Sequence, residues 1–277
     1  MELPNGFDAT IATYYDQAPE ETRLDASPFQ LEALRTRELI ARHAPPPPAT
    51  VLDVGGAAGA YATWLAEAGY AVHLLDAAPR LVAEAHRRGM GLTRPLASCE
   101  VGDARALPFP SASADVVLLL GPLYHLTAEG DRARALGEAA RVLRPGGLLF
   151  AAGISRWASA LDGLARDLYA DARFAAIVER DLRDGQHRNP TERLDYFTTA
   201  YLHRPEELRN EVVRAGLAVT GLYGVEGPAW ILPDLAERWA DARRRDDLVR
   251  LARALESEAS LLGASAHLLV TARKPAG

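Results

Sequence analysis

Between Thr50 and Ile154 the chain alternates short apolar runs with longer stretches of helical periodicity. Strands are read at Val51 to Val54, Ala71 to Leu75, Leu96 to Val101, Asp115 to Leu120 and Leu148 to Ile154, mostly apolar apart from Leu96 to Val101. Asp115 to Leu120 has no polar interruption after its first residue, as expected of a strand buried on both faces in the middle of a parallel sheet. The intervening helices are expected at Ala60 to Ala68, Pro79 to Arg88 and about Glu129 to Leu143. Pro79 suits a first helical turn, while Gly89 and Pro145-Gly146-Gly147 act as stops. Strand and helix in strict alternation predict a doubly wound α/β sheet.

The flanks read differently. Phe7 to Gln17 and Pro28 to His43 are expected to be helical, the second with Leu31, Leu34, Leu39 and Ile40 on roughly one face. The run Pro45 to Pro48 stops any helix and divides an N-terminal helical cap, residues 1–49, from the core, residues 50–277. Beyond Ile154 the alternation breaks. Arg156 to Arg183 is expected to be helical and Asp184 to Thr199 looped, followed by a helix from Pro205 to near Gly216 and a strand, Leu217 to Tyr223. Helices at about Leu232 to Arg243 and Asp247 to Leu262 then precede a last strand, Ala266 to Ala272. Helical insertions are therefore expected at about 156–204 and 227–263.

Chemistry concentrates first in Thr50 to Asp76, a strand, a glycine turn, an Ala-rich helix and a second strand ending in an acid. This is a nucleotide-binding βαβ unit, in which the turn lets a ligand approach the backbone and the acid some 20 residues on is placed for a ribose diol. The dinucleotide spacing G-x-G-x-x-G falls on Gly55, Ala57 and Ala60, of which only the first is glycine. The spacing of an acid followed by G-x-G-x-G falls on Asp53, Gly55, Ala57 and Gly59, with one replacement by the next smallest residue.

Taken in order, VLDVGGAAG, LLD, GDARALPF, DVVLLLGPLYHL and RVLRPGGLLF resemble the successive motifs of class I S-adenosylmethionine (SAM)-dependent methyltransferases of the small-molecule type, over about Val51 to Ile154. The resemblance implies a Rossmann-like seven-stranded α/β sheet with its last strand antiparallel, completed by Leu217 to Tyr223 and Ala266 to Ala272. It implies SAM as cofactor. Asp53 would orient the glycine loop or the methionine amino group, with Gly55, Gly56 and Gly59 along the methionine and ribose side. Asp76 would take both ribose hydroxyls, and Asp103 with the Ala104 N–H would hold adenine. Leu119 to Gly121 would lie beneath the sulfonium. Ala57, in place of the middle glycine, departs from the pattern.

Gly121 to Leu126 follows the central strand, at the sheet edge where such folds bind ligands. Methyl transfer from a sulfonium is an in-line displacement, so the protein must align donor and acceptor and exclude water. A hydroxyl or amine acceptor must also lose a proton, and histidine titrates in the useful range. His125 is the candidate base, with Tyr124 beside it. Tyr14 and Tyr15 could close over the donor, and Arg23 could help hold a carboxylate. Trp157, Tyr169, Phe174, Tyr196, Phe197 and Tyr201 in the first insertion could cover an apolar or aromatic acceptor.

The formal net charge of -6 and a pI near 5.7 argue against nucleic acid or an anionic membrane as partner. Cys99 is the sole cysteine, so neither a disulfide nor a cysteine metal site is expected, and Lys274 is the sole lysine. No metal site is assigned. Met1 to Asp8 lacks a basic segment with an apolar core, so a cytoplasmic monomer or homodimer is expected. The expected function is transfer of the SAM methyl group to O or N, less readily C, of a small-molecule acceptor. The rival readings are a SAM-binding enzyme that cyclises or transfers an aminocarboxypropyl group, a non-catalytic SAM-binding protein, and a nicotinamide oxidoreductase.

Overall fold

A computed structural model describes residues 8–25 and 29–276 of the chain. The expected helix starts at Phe7 and Pro28 lie outside the described residues. Strand β1 (Thr50–Val54) pairs in parallel with β2 (Ala71–Asp76) on one side and β4 (Ala114–Leu119) on the other. The outer neighbour of β2 is β3 (Ser98–Val101), and β4 pairs with β5 (Leu143–Ser155). Across β5 the direction reverses, because the last strand β9 (His267–Arg273) runs antiparallel both to β5 and to β8 (Ala218–Gly224).

These seven strands, the last antiparallel, are the ones the resemblance implied, but the sheet has nine. The extra pair comes from the stretch expected to be helix and loop. Strand β7 (Ala200–His203) pairs in parallel with the end of β5, Ile154 opposite Leu202 and Ser155 opposite His203, and β6 (Gln186–His187) lies antiparallel to β7. Two- and four-residue strands are too short to show a period of two, which is why the sequence conceals them. They lengthen the sheet only at the carboxyl end of β5.

Helices cover both faces. In chain order they are α1 (Ala9–Gln17), α2 (Gln30–His43), α3 (Ala60–Glu67), α4 (Pro79–Gly89), the single turn α5 (Pro122–His125) and α6 (Glu129–Val142). The later ones are α7 (Ala158–Ala165), α8 (Ala172–Asp184), α9 (Pro205–Arg214), α10 (Leu235–Ala240) and α11 (Ala242–Leu255). Under one face, Val117 and Leu119 of β4 pack with Ala135, Leu136 and Ala139 of α6 and Leu208 of α9. Under the other, Val116 and Leu118 pack with Leu39 and Ile40 of α2 and Leu65 of α3. Each such valine, leucine or isoleucine contributes roughly 1.5–3 kcal/mol by leaving water. Among the described residues no helix is long and apolar enough to cross a membrane.

The helix α2 is buried on more than one face. Leu39 and Ile40 meet the sheet, whereas Leu31 packs with Leu248 and Val249 of α11. Wedged between the two, its polar residues Glu32, Arg35 and Thr36 are buried as well. Arg35 is neutralised by Glu38 and Glu256. Glu32 and Thr36 face the carboxyl edge of the sheet, where the functional residues gather.

Candidate active site

At the end of β1 the glycine loop is shaped by close approach. Gly55 has φ 74°, and a Cβ there would stand 2.5 Å from Pro122 Cδ, so the loop lies directly against the first turn of α5. A Cβ on Gly56 would meet Asp53 Oδ2 at 2.8 Å. Gly59, with φ 81°, turns the chain into α3 and packs against Ala85 of α4. Ala57 adopts φ 46°, the left-handed region that a glycine would occupy without strain. Its N–H donates to Asp76 Oδ2 at 2.8 Å, which holds it there.

Two acids sit under this loop. Asp53 is fully buried and its Oδ2 has no hydrogen-bond partner. Burial raises its pKa to about 7, helped by the charge of Asp76 and opposed by the Ala62 N–H at the start of α3. Asp76, at the tip of β2, accepts from the Ala57 and Ala78 N–H groups, one on each oxygen. Burial raises its pKa too, against the pull of those N–H bonds. Asp103, after β3, differs: Arg105 covers both of its oxygens and also reaches Asp131. Its pKa is held low by Arg105 despite partial burial.

Opposite the loop, α5 carries Tyr124 and His125. The Tyr15 hydroxyl of α1 lies 2.7 Å from His125 Nε2, and His125 Nδ1 lies 3.2 Å from the Thr199 carbonyl. The carbonyl can only accept, so Nδ1 carries the proton and Nε2 accepts from Tyr15. Burial, opposed by the Thr199 carbonyl and Asp8, pushes the His125 pKa down to about 4, which leaves the ring neutral. Tyr14, Tyr15, Tyr124, Phe197 and His125 form an edge-to-face cluster around this point. Phe197 takes the strained φ of 64°.

These groups border two cavities. One of about 460 Å³ is lined by Asp53, Gly55, Gly56, Ala57, Asp76, Asp103, Ala104, Gly121, Tyr124 and His125. The other, about 270 Å³, lies under the first insertion and is lined by Phe174, His187, Tyr196, Phe197 and Trp230 among others. Tyr15, Glu20, Arg23, Glu32, Tyr124 and His267 line both, so they form the wall between the two. The larger volume is that of a small-molecule site, and the smaller lies just below that range.

Two expected residues stand elsewhere. Leu119 is fully buried in the core beneath α6, and Leu120 lines the larger cavity in its place. The reason is the pleat: successive side chains of β4 point to opposite faces, so the position one further along reaches the opening. Gly59 bounds the loop from behind without lining the cavity. Arg23 is committed to Glu20 and to both oxygens of Glu32. Conversely, sequence reasoning passed over Glu32, Thr36 and Arg37 of α2, Tyr61 and Thr63 of α3, Glu226 and His267, all of which line a cavity. Arg37 Nε is buried without a partner. The buried oxygen of Asp53 and the glycine cradle fit a cationic, nucleoside-like ligand, and this residue set suits SAM.

Comparison with known proteins agrees. Residues 52–151 match the family described as Methyltransferase domain. The ubiquinone/menaquinone biosynthesis C-methyltransferase of Acidiphilium cryptum is 33% identical over 170 residues, 59% of this chain and 64% of that protein. The chain thus spans just under two thirds of that relative. The ubiquinone biosynthesis O-methyltransferase of Caulobacter vibrioides is 28% identical over 232 residues, 79% of this chain and 82% of that protein. Among solved structures, a SAM-dependent methyltransferase from Methanosarcina mazei superposes with a TM-score of 0.58 at 18% identity, covering 86% of this chain and 98% of that one.

Proposed function

The chain belongs to the class I SAM-dependent methyltransferase family, and from that premise we propose that it transfers the SAM methyl group to an oxygen or nitrogen, less readily a carbon, of a small-molecule acceptor. One observation carries this reading: the cavity that fits the donor and a second, aromatic-lined cavity share a single wall, formed by Tyr15, Glu20, Arg23, Glu32, Tyr124 and His267. A donor and an acceptor seated on either side would meet at that wall, with bulk water kept out.

When bound, SAM supplies an activated methyl carbon on a positively charged sulfur. The chain's residues bind and align. Asp76 would accept from the ribose hydroxyls through the lone pairs its two N–H bonds leave free. Ala104 and Asp103 would face adenine, with Arg105 yielding part of its hold on the carboxylate. Asp53 would draw the ammonium end, and the buried Nε of Arg37 would meet the carboxylate end. Gly55, Gly56 and Gly121 allow close approach of their backbones. His125 is neutral and already accepts from Tyr15, so we assign it to fixing Tyr15 over the donor in preference to the base role its position first suggested.

The two relatives are named for transfer to carbon and to oxygen, so their names do not select the atom. Isothermal titration with SAM and with S-adenosylhomocysteine tests the donor site. Binding of both at micromolar concentration is expected, and no heat at millimolar ligand would sink the proposal.

A further inference from the structure

The wall between the two cavities, with Glu226 behind it, holds three carboxylates and two groups that neutralise them. Glu226 is nearly fully buried, accepts from the Ser265 hydroxyl at 2.7 Å and the His267 N–H at 3.1 Å, and faces His267 Nδ1 at 2.5 Å. The imidazole is therefore taken up by Glu226, with Glu32 3.8 Å away. Arg23 serves the other two carboxylates alone. Both of its terminal nitrogens go to Glu32, and only its Nε reaches Glu20, at 2.9 Å on Oε1. Glu20 Oε2 has no partner among the described residues, although the side chain is only 14% exposed. Burial raises the Glu20 pKa against the pull of Arg23, as expected of a carboxylate short of positive charge.

Elsewhere around the smaller cavity the charges close on themselves. Arg166 bridges Asp162 and Asp195, and Asp195 also holds Arg193. His187 lies 2.8 Å from both Asp181 Oδ2 and the Tyr196 carbonyl. Much of the remaining lining is aromatic, with Tyr14, Phe174, Phe197 and Trp230 among it. The Trp230 N–H is spent on the Ala264 carbonyl at 2.8 Å, which leaves the ring itself for a ligand. Glu20 stands close to such rings: burial raises the phenols of Tyr14, Tyr15 and Tyr124, and the charge of Glu20 raises each further. Glu32, Glu226 and His267 bring ligand atoms within 4.8 Å of one another, but Arg23 holds both oxygens of Glu32 and His267 faces Glu226. A metal ion there would have to evict a cation already in place.

Resting on the methyl-transfer reading above, we propose that the acceptor is an arylalkylamine recognised as its cation, with the ammonium against Glu20 Oε2 at the shared wall and the ring among Tyr14, Phe174, Phe197 and Trp230. Glu20 is then the residue that selects the acceptor's charge. An ammonium supplies the positive charge the wall lacks and donates to the one carboxylate oxygen left open. The rings favour the same ligand twice, since aromatic faces attract cations and bury an apolar body. A neutral acceptor would displace water from Glu20 without replacing it by a counter-charge, and a carboxylate or phosphate would add to the surplus. The donor's sulfonium, across the same wall, is a second claim on that negative charge. S-adenosylhomocysteine carries no sulfonium, so its use isolates the acceptor's share.

The test titrates the full chain, saturated with S-adenosylhomocysteine, with 2-phenylethylamine, 2-phenylethanol and 3-phenylpropanoate. The three probes share a ring and differ in charge. The amine should bind about tenfold or more tightly than the alcohol, and the acid should bind weakest. This ranking is read on the wild type and needs no variant. Glu20→Gln, which keeps the shape and removes the charge, should bring the amine's affinity down to that of the alcohol while leaving the alcohol and S-adenosylhomocysteine unaffected. Equal affinity for amine and alcohol, tighter binding of the acid, no amine binding at millimolar concentration, or undiminished amine binding in Glu20→Gln would each overturn the proposal. Titration with S-adenosylhomocysteine alone separates the two readings: if it binds while the amine shows no preference, only the acceptor assignment falls.

Discussion

Asp53 makes the affinity for SAM depend on pH in a calculable way. Its pKa of about 7 in the ligand-free protein means that the carboxylate is largely protonated at pH 6 and largely ionised at pH 8. If the cationic ligand binds the ionised form, apparent affinity is reduced by the factor 1 + 10^(pKa − pH), so it should fall about tenfold between pH 8 and pH 6. At pH 6 close to one proton, about 0.9, should be released per ligand bound. His125, near 4, and His267, near 9, titrate outside this window. The assay is isothermal titration at both pH values in two buffers of different ionisation enthalpy. Asp53→Asn should flatten the pH dependence and weaken binding at pH 8 by about 1.5–3 kcal/mol, the value of a charged hydrogen bond. The same burial has a cost to folding. Because the folded pKa lies above the unfolded one, the stability Asp53 contributes is present below about pH 4 and lost as pH rises to 7, by up to about 4 kcal/mol at 1.36 kcal/mol per pH unit. The variant should therefore unfold at higher urea than the wild type at pH 8. Equal pH dependence of binding in both proteins, or no proton release at pH 6, would refute the reasoning.

Three further outcomes are expected. Ala57→Gly should raise stability by about 0.5–1 kcal/mol, since relief of a left-handed alanine exceeds the added chain entropy of glycine; an unchanged urea midpoint would show that φ 46° carries no strain. Asp76→Ala should weaken SAM binding by about 1–3 kcal/mol if the carboxylate holds the ribose, and unchanged affinity would remove it from the site. His125, with a folded pKa lowered to about 4 from near 6.5, contributes stability that is present above pH 6.5 and lost on acidification. Between pH 7 and pH 5 the wild type should lose about 2 kcal/mol relative to His125→Gln in urea unfolding, and parallel losses would contradict a neutral buried ring.

What was legible in the sequence is what local pattern encodes. Asp53 and Asp76 stand at the carboxyl ends of β1 and β2, and the glycine turn and Asp103 follow β1 and β3 directly, so the strands locate them without knowledge of the tertiary fold. Of the range Leu119 to Gly121, Leu120 and Gly121 line the cavity and Leu119 does not, a distinction hidden in the sequence because a strand buried on both faces has no polar alternation to say which side chain faces the opening. Glu32, Glu226 and His267 come from three segments separate in the chain, the last two 41 residues apart, and meet only because β9 inserts between β5 and β8 beside α2. The one local sign was on α2, where Glu32 and Thr36, four apart, fall on one polar stripe of a helix otherwise marked by leucines.

The distribution of unsatisfied buried atoms bears on how this site recognises its ligand. The buried side-chain atoms without partners among the described residues belong to Arg35, Arg37, Asp53, Arg80, Asp181 and His203. Arg35, Arg80, Asp181 and His203 each have other atoms engaged in ion pairs, so their orphans are leftovers of filled networks. Arg37 and Asp53 are the two of the set that line the larger cavity, and neither takes part in an ion pair among the described residues. One is a donor and the other an acceptor, of opposite charge, and leaving either buried and unmatched costs about 1–3 kcal/mol. A ligand with an ammonium and a carboxylate on one carbon would satisfy both at once. A dinucleotide, whose charges near the loop are all negative, would relieve Arg37 and worsen Asp53. The choice between the two cofactor classes, made first by counting glycines, therefore follows independently from the sign of two buried side chains.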